Sequence, residues 1–249
     1  TMLQVTLNED DISKDYPIHQ GVIGDAKPAL RQIIAESQKQ LPGGSRPGSE
    51  TMAQDIARIK EAFLQEWMPR LSSDERPISP YRIIQELMQT VDRKKTVVTH
   101  EAGNPRDQVM PFYETVVPHG YMGWGKTTQL GTSLGLMMGA KLAAPDWTAV
   151  NIMGDGAFGM VGMDFETAVR NNIPILTIVL NNGLLGGYDH HLPIATRDYN
   201  LRYFSGNYAK VAEALGGYSE RVTQPEVIKT ALERAIAEIN KGRAALLDI

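Results

Sequence analysis

From residue 78 onward the chain alternates helical and strand-like segments, and this rhythm constrains its fold more than any other feature. Ser79-Pro80 opens a helix carrying Ile83, Ile84, Leu87, Met88 and Val91 at three- and four-residue intervals, and a strand at 96–99 follows. The pattern continues with a helix rich in small residues over 126–143, a strand at 147–153, a helix at 163–171 and a strand at 174–180. Helices near 207–215 and 224–240 and a closing strand at 244–249 complete it. Such alternation predicts an α/β fold, a doubly wound, mostly parallel sheet with helices on both faces. Sheets of this kind bind ligands outside the carboxyl ends of their strands.

The first 77 residues read differently. Leu3, Val5 and Leu7 alternate with polar positions, so short strands joined by the acidic turn Glu9-Asp10-Asp11 are expected. Asp25 is placed to cap a helix with Pro28 in its first turn and Leu30, Ile33 and Ile34 on one face. Pro42 to Ser49 is linker-like. Ser49 then caps a second helix bearing Met52, Ile56, Ile59, Phe63 and Trp67, which Pro69 should end. Three segments result: 1–41, a helical linker over 42–77, and 78–249.

Composition excludes several classes of function. The net charge of -4, with Lys and Arg scattered, offers nucleic acid no basic stripe. The absence of cysteine removes disulfides and thiolate chemistry together. No apolar run approaches the ~18 residues of a membrane span. The start Thr1-Met2-Leu3 carries no targeting signal, so a cytoplasmic protein is expected. Both ends read as cut, which predicts a piece of a longer chain.

The most informative stretch is Gly154-Asp155-Gly156-Ala157-Phe158, followed 27 positions after Asp155 by Asn181-Asn182-Gly183-Leu184. The flanking strands and their crossover form one right-handed βαβ unit, which brings the residues just past each strand to one edge of the sheet. Asp155 and Asn182 should therefore lie close together. A carboxylate, an amide oxygen and a loop carbonyl are hard oxygen ligands of the kind Mg²⁺ accepts. Gly154 and Gly156 let the backbone approach a phosphate, and the next helix start offers free N–H groups.

This stretch resembles the GDG…NN motif of thiamine-diphosphate-dependent enzymes, at the spacing of the acetolactate synthase-like group. Leu3 to Leu7, Tyr16-Pro17 and Val22 to Lys27 resemble the end of that group's central domain, and Ile78-Ser79-Pro80 onward resembles its C-terminal cofactor domain. The resemblance implies thiamine diphosphate and Mg²⁺ as cofactors. It makes Asp155, Asn182 and the Leu184 carbonyl the metal ligands, with Gly154, Gly156 and Ala157 at the diphosphate. Gly120-Tyr121-Met122-Gly123 is similar to the stretch that meets the aminopyrimidine, so the Gly120 carbonyl and Met122 N–H would bond that ring and the Met122 side chain would prop the cofactor. The activity implied is cleavage or decarboxylation of a 2-keto acid, with carboligation. A decarboxylase, an oxidase and an acyl-CoA lyase are alternatives on the same scaffold.

The expected partners are a small-molecule substrate and a pyrimidine-binding domain of the same or another subunit, within a homodimer or homotetramer. That domain would bring the activating glutamate, so this chain alone should be inactive. Whether FAD also binds is left open. His119 and His190 are the candidate proton carriers for the pocket. Glu101 reads as a solvated loop residue. Two stretches depart from the group's pattern, His100 to Asp107 and Gly183 to His191, and both fall on the substrate side.

Rival readings are weaker. Gly120 to Thr127 satisfies the literal P-loop pattern G-x-x-x-x-G-K-[ST], with Lys126 as its lysine. Pro118 spoils the strand that should precede it, and Trp124 crowds the loop. A metallohydrolase using His119, His190, His191 and Asp189 lacks an H-E-x-x-H helix. A non-catalytic domain that keeps the fold is the remaining alternative.

Overall fold

The computed structural model describes residues 1–41, 43–123 and 129–249. They fall into two compact units, Thr1–Leu64 and Gln65–Ile249. In the first, β1 (Leu3–Thr6) and β2 (Gln20–Ile23) pair in parallel, with Val5 opposite Val22. The acidic turn between them is a 3₁₀ turn whose Asn8 side chain accepts the Asp10 N–H. Helix α1 (Ala26–Gln40) is capped as expected, the Asp25 carboxylate accepting the Lys27 N–H at 2.8 Å. Leu30, Ile33 and Ile34, the apolar stripe of α1, remain exposed, because a two-stranded sheet is too small to cover them.

Helix α2 (Ser49–Leu71) differs from expectation at both ends: Ser49 is its first residue, and Pro69 lies inside its last turn. Proline's fixed φ is itself helical, and the packing of the final turn outweighs the one hydrogen bond it removes. Leu71 is buried, and the Trp67 ring sits 5.1 Å from Tyr81 and 5.0 Å from Phe112.

The second unit is built on six strands: β3 (Thr96–His100), β4 (Tyr121–Met122), β5 (Thr148–Gly154), β6 (Leu176–Leu180), β7 (Tyr218–Arg221) and β8 (Ala245–Asp248). Their order across the sheet is β4-β3-β5-β6-β8-β7, and every pairing is parallel. The doubly wound α/β class expected from the alternation is therefore the fold.

The helices are α3 (Pro80–Thr90), α4 (Asn104–Val109), α5 (Thr132–Ala143), α6 (Asp155–Val161), α7 (Phe165–Arg170), α8 (Tyr188–His191), α9 (Pro193–Tyr199), α10 (Tyr208–Ala214) and α11 (Ile228–Asn240). On one face Val97, Ala149, Met153, Ile175, Val179 and Leu246 pack with Leu134, Met137, Phe158, Phe165 and Ala212 of α5, α6, α7 and α10. Strand residues of the opposite parity, among them Val98, Ile152 and Ile178, are equally buried, and α11 packs with β6, β7, β8 and α3. No helix among the described residues is long and apolar enough to cross a membrane.

Several elements depart from the sequence reading. The helix expected at 126–143 is described from Thr132 to Ala143, and Trp124 to Thr128, Lys126 among them, lie outside the described residues. The helix expected at 163–171 is two pieces, because the chain turns helical at Asp155, passes through a 3₁₀ turn at Gly162–Asp164 and resumes in α7. Glycines at 156, 159 and 162 mask the first piece, yet burial of Ala157 and Phe158 fixes it there. Strands β4 and β7 and helices α4, α8 and α9 were not anticipated either.

Candidate functional site

The register pairs Gly154 with Leu180, so β5 and β6 end side by side and deliver Asp155 and Asn181-Asn182 to the same edge. Asp155 is 2% exposed. One carboxylate oxygen accepts the Gly156 N–H at 2.8 Å and the other accepts the Gly183 N–H at 2.7 Å, which ties the start of α6 to the turn after β6. Burial pushes this carboxyl above the usual range, and the backbone N–H groups of Gly156, Gly183, Asp155 and Leu184 pull it part of the way back. Among the described residues no cation pairs with it.

Asn182 is exposed, and its side-chain oxygen accepts the Leu184 N–H at 3.0 Å, an Asx turn that shapes the loop. Leu184 bridges Tyr203 across the loop, with Leu185 N–H donating to the Arg202 carbonyl and Phe204 N–H to that of Gly183. No described group donates to the Leu184 carbonyl. No cluster of three or more His, Cys, Asp or Glu side chains is placed for a metal among the described residues. A metal here would rely on one carboxylate, one amide oxygen and one carbonyl, a hard oxygen set.

Gly154, Asp155, Gly156, Ala157, Asn182 and Leu184 line one cleft of about 140 Å³ at the carboxyl edge of the sheet. Both stretches set apart as substrate-side reach it, through Gly103 and Asn104 and through Gly186 and Tyr188. Gly156 is one tight point: a Cβ there would stand 3.0 Å from Leu185 Cδ2 and 3.3 Å from Phe204 Cε2. The other candidates lie elsewhere. Gly120 is buried at the entry to β4, and its carbonyl accepts the Val98 N–H at 3.1 Å, which leaves one lone pair. Met122 accepts the Thr99 hydroxyl on its carbonyl, and its side chain lines a separate apolar groove with Leu136 and Trp147.

His119 sits on that groove with φ 63°. His190 is 88% exposed and 3.8 Å from Asp189, and it does not line the cleft. Glu101 is a correction: it is fully buried, not solvated. Its carboxylate accepts the Ala102 N–H at 3.0 Å, the Ser133 N–H at 3.2 Å and the Ser133 hydroxyl at 2.6 Å. It thereby caps α5, whose own N-cap, Gly131, has a left-handed φ of 95° and no capping side chain. This bears on the P-loop reading, in which the helix start must hold phosphate; here Ser133 already faces a carboxylate. No strand leads into Gly120 either, since 117–120 form a turn.

Sequence reasoning missed Asp248, and it named Asn181 in the motif without giving it a role. Asp248 is buried at the end of β8 and accepts the Asn181 side-chain amide at 2.8 Å. The only signal was a charged residue closing an apolar strand at the carboxyl edge.

Comparison with known proteins agrees with this geometry. Residues 101–249 match the family described as thiamine pyrophosphate enzyme, C-terminal TPP binding domain. The chain belongs to the thiamine pyrophosphate (thiamine diphosphate) enzymes and carries that cofactor-binding domain. It is 30% identical to a probable acetolactate synthase of Mycobacterium bovis over 226 residues, 89% of this chain and 39% of the relative. It is 25% identical to a probable acetolactate synthase large subunit of Methanococcus aeolicus over 244 residues (94% and 41%). It is also 28% identical to a 2-hydroxyacyl-CoA lyase of Arabidopsis thaliana over 243 residues (94% and 42%). The chain thus spans about two fifths of the length of these relatives.

Proposed function

We propose that this chain binds the diphosphate of thiamine diphosphate through Mg²⁺, in an enzyme that cleaves or decarboxylates a 2-keto acid and passes the fragment to an acceptor, as an acetolactate synthase does. The observation that carries the reading is the buried Asp155 carboxylate. It is held by backbone N–H groups and, among the described residues, by no cation, and it faces a cleft beside Asn182 and a Leu184 carbonyl to which no described group donates. A divalent cation would compensate that charge and meet the diphosphate oxygens. The glycine surface at Gly154 and Gly156 suits close approach of a phosphate, and a Cβ at Gly156 would press on Leu185 and Phe204.

Asp155, Asn182 and Leu184 would hold the metal, and Gly156 and Ala157 the diphosphate. Gly120 and Met122 are assigned to the aminopyrimidine by resemblance. When bound, the cofactor supplies a nucleophilic carbon and an electron sink for C–C cleavage. The activating glutamate belongs to a pyrimidine-binding domain of the same or another subunit, in a cytoplasmic homodimer or homotetramer. Acyl-CoA lyase chemistry is the second reading, supported by the similarity to the Arabidopsis lyase. The test is calorimetric titration of the protein with thiamine diphosphate and Mg²⁺, followed by product analysis with pyruvate and with a 2-hydroxyacyl-CoA. Mg²⁺-dependent binding is expected; binding indifferent to Mg²⁺ and to Asp155→Ala would overturn the reading.

A further inference from the structure

Between Asn181, where the chain leaves β6, and Tyr208, where α10 begins, a long loop supplies Asn182, Gly183 and Leu184 and the cleft wall at Leu185 and Tyr188. Both roots of this loop converge on Asp248. Its Oδ1 accepts the Asn181 side-chain amide at 2.8 Å, and its Oδ2 accepts the Tyr208 N–H at 2.9 Å and the Ala209 N–H at 3.5 Å. Asn181 closes the junction further, its amide reaching the Gly206 carbonyl at 3.3 Å and its N–H the Ile249 carbonyl at 2.7 Å.

Asp248 is 1% exposed and has no cationic partner among the described residues, so its two oxygens are satisfied there by these N–H donors. We infer that Asp248 is a positioning residue for the metal-bearing turn. By pinning Asn181 and the Gly206–Ala209 return with one carboxylate, it fixes where Asn182 and Gly183 stand relative to Asp155. The influence passes from Asp248 through the Asn181 side chain to the Gly183 N–H, which donates to Asp155 Oδ2 at 2.7 Å. The bonds higher in the loop, the Leu184–Tyr203 bridge and the Arg202–Asp189 pair at 2.9 Å, hold the loop to itself but not to the sheet. Among the described residues the roots and the Gly183–Asp155 bond do that, so loss of the root bonds leaves the turn held by Gly183 alone while the loop's interior stays paired.

The inference rests on the proposed reading of Asp155, Asn182 and Leu184, and two measurements on the intact protein keep the two separable. The first is the Mg²⁺ Kd at saturating thiamine diphosphate, by calorimetry. The second is amide hydrogen exchange without cofactor. Asp248→Asn keeps the shape but cannot accept all three N–H groups. It should weaken Mg²⁺ about 10–100-fold, the usual cost of losing a group that orients a ligand. It should also speed exchange at 183–185 and 204–209 while β5 keeps its protection. The paired exchange Asp248→Asn with Asn181→Asp restores one donor–acceptor contact with the roles reversed, and it should recover about tenfold of that loss, which a general destabilisation would not.

If Asp248→Asn fails to fold, Asn181→Ala carries the same test at one root, because it leaves the α10 bonds to Asp248 in place. Parental Mg²⁺ affinity in the single variants, or a paired variant no better than the worse single, overturns the inference. A parent protein without Mg²⁺-dependent binding sinks the site reading instead, and the exchange data then still decide whether Asp248 pins the loop.

Discussion

A carboxylate as buried as that of Asp155 is costly to ionise unless a cation arrives, and this makes it the residue on which binding should depend most. Asp155→Ala should weaken Mg²⁺-dependent binding of thiamine diphosphate by more than about a hundredfold, whereas Asn182→Ala, which removes one neutral ligand, should cost about tenfold. Calorimetry on both variants checks the order, and equal losses would contradict it. Gly156→Ala should also impair binding, because its Cβ would press on Leu185 and Phe204 at the cleft wall. Tyr113 presents the opposite case, a buried hydroxyl with no partner among the described residues. It stacks on Tyr121, 6.1 Å between centroids, and burial pushes its phenol up to about 12, with Arg93 opposing. Because the folded value is raised, the associated stability is present below the ordinary tyrosine range near 10 and is lost as pH rises toward 12. Tyr113→Phe should leave stability at pH 7 unchanged or raise it by up to about 1 kcal/mol, and it should lessen the alkaline loss. Denaturant melts at pH 7 and 11 read both effects, and marked destabilisation at pH 7 would show a missed partner.

Helix α5 depends on a cap it does not encode. Gly131 supplies the left-handed turn but no acceptor, and Glu101 reaches across from the end of β3 to satisfy Ser133. Glu101→Ala strips a buried N–H and hydroxyl of their acceptor and should cost roughly 2–3 kcal/mol in urea unfolding. A loss under about 0.5 kcal/mol would mean that water replaces the carboxylate. The same contact shows what sequence reading reaches and what it does not. The strands β3, β5, β6 and β8 were legible because their residues are buried on both faces and read as apolar runs. The helices α1, α3 and α11 were legible from their three- and four-residue spacing. Strand β4, with only two residues, and the polar Tyr218-Ser219-Glu220-Arg221 of β7 carry no such signature. At the site, Asp155 and Asn182 could be paired in advance because one βαβ unit joins them. Glu101 with Ser133 and Asn181 with Asp248 meet only through tertiary packing across 32 and 67 positions, and no local pattern announces them.

For the molecule as a whole, the cleft's described residues include those proposed for a metal and a diphosphate, and the chain covers about two fifths of its relatives' length. Assayed with pyruvate, Mg²⁺ and thiamine diphosphate, this chain alone should show no turnover above background, while weak cofactor binding persists. A positioned acid or base is typically worth ~10²–10⁴ in rate, and the proposed glutamate would come from a pyrimidine-binding domain. Adding that domain should restore activity, and robust turnover without it would refute the division of labour. The sheet's two flanks carry a different consequence. One edge is the two-residue β4, and the other, β7, presents Glu220 held by Arg234 at 2.6 Å beside the exposed Arg221. Short and charged borders are poor templates for pairing with another chain, so a sheet whose interior strands are almost entirely apolar is shielded from edge-to-edge aggregation. Replacing Glu220 and Arg221 by valine would remove that protection at β7, and fibril-type self-association on mild heating would be the sign of it.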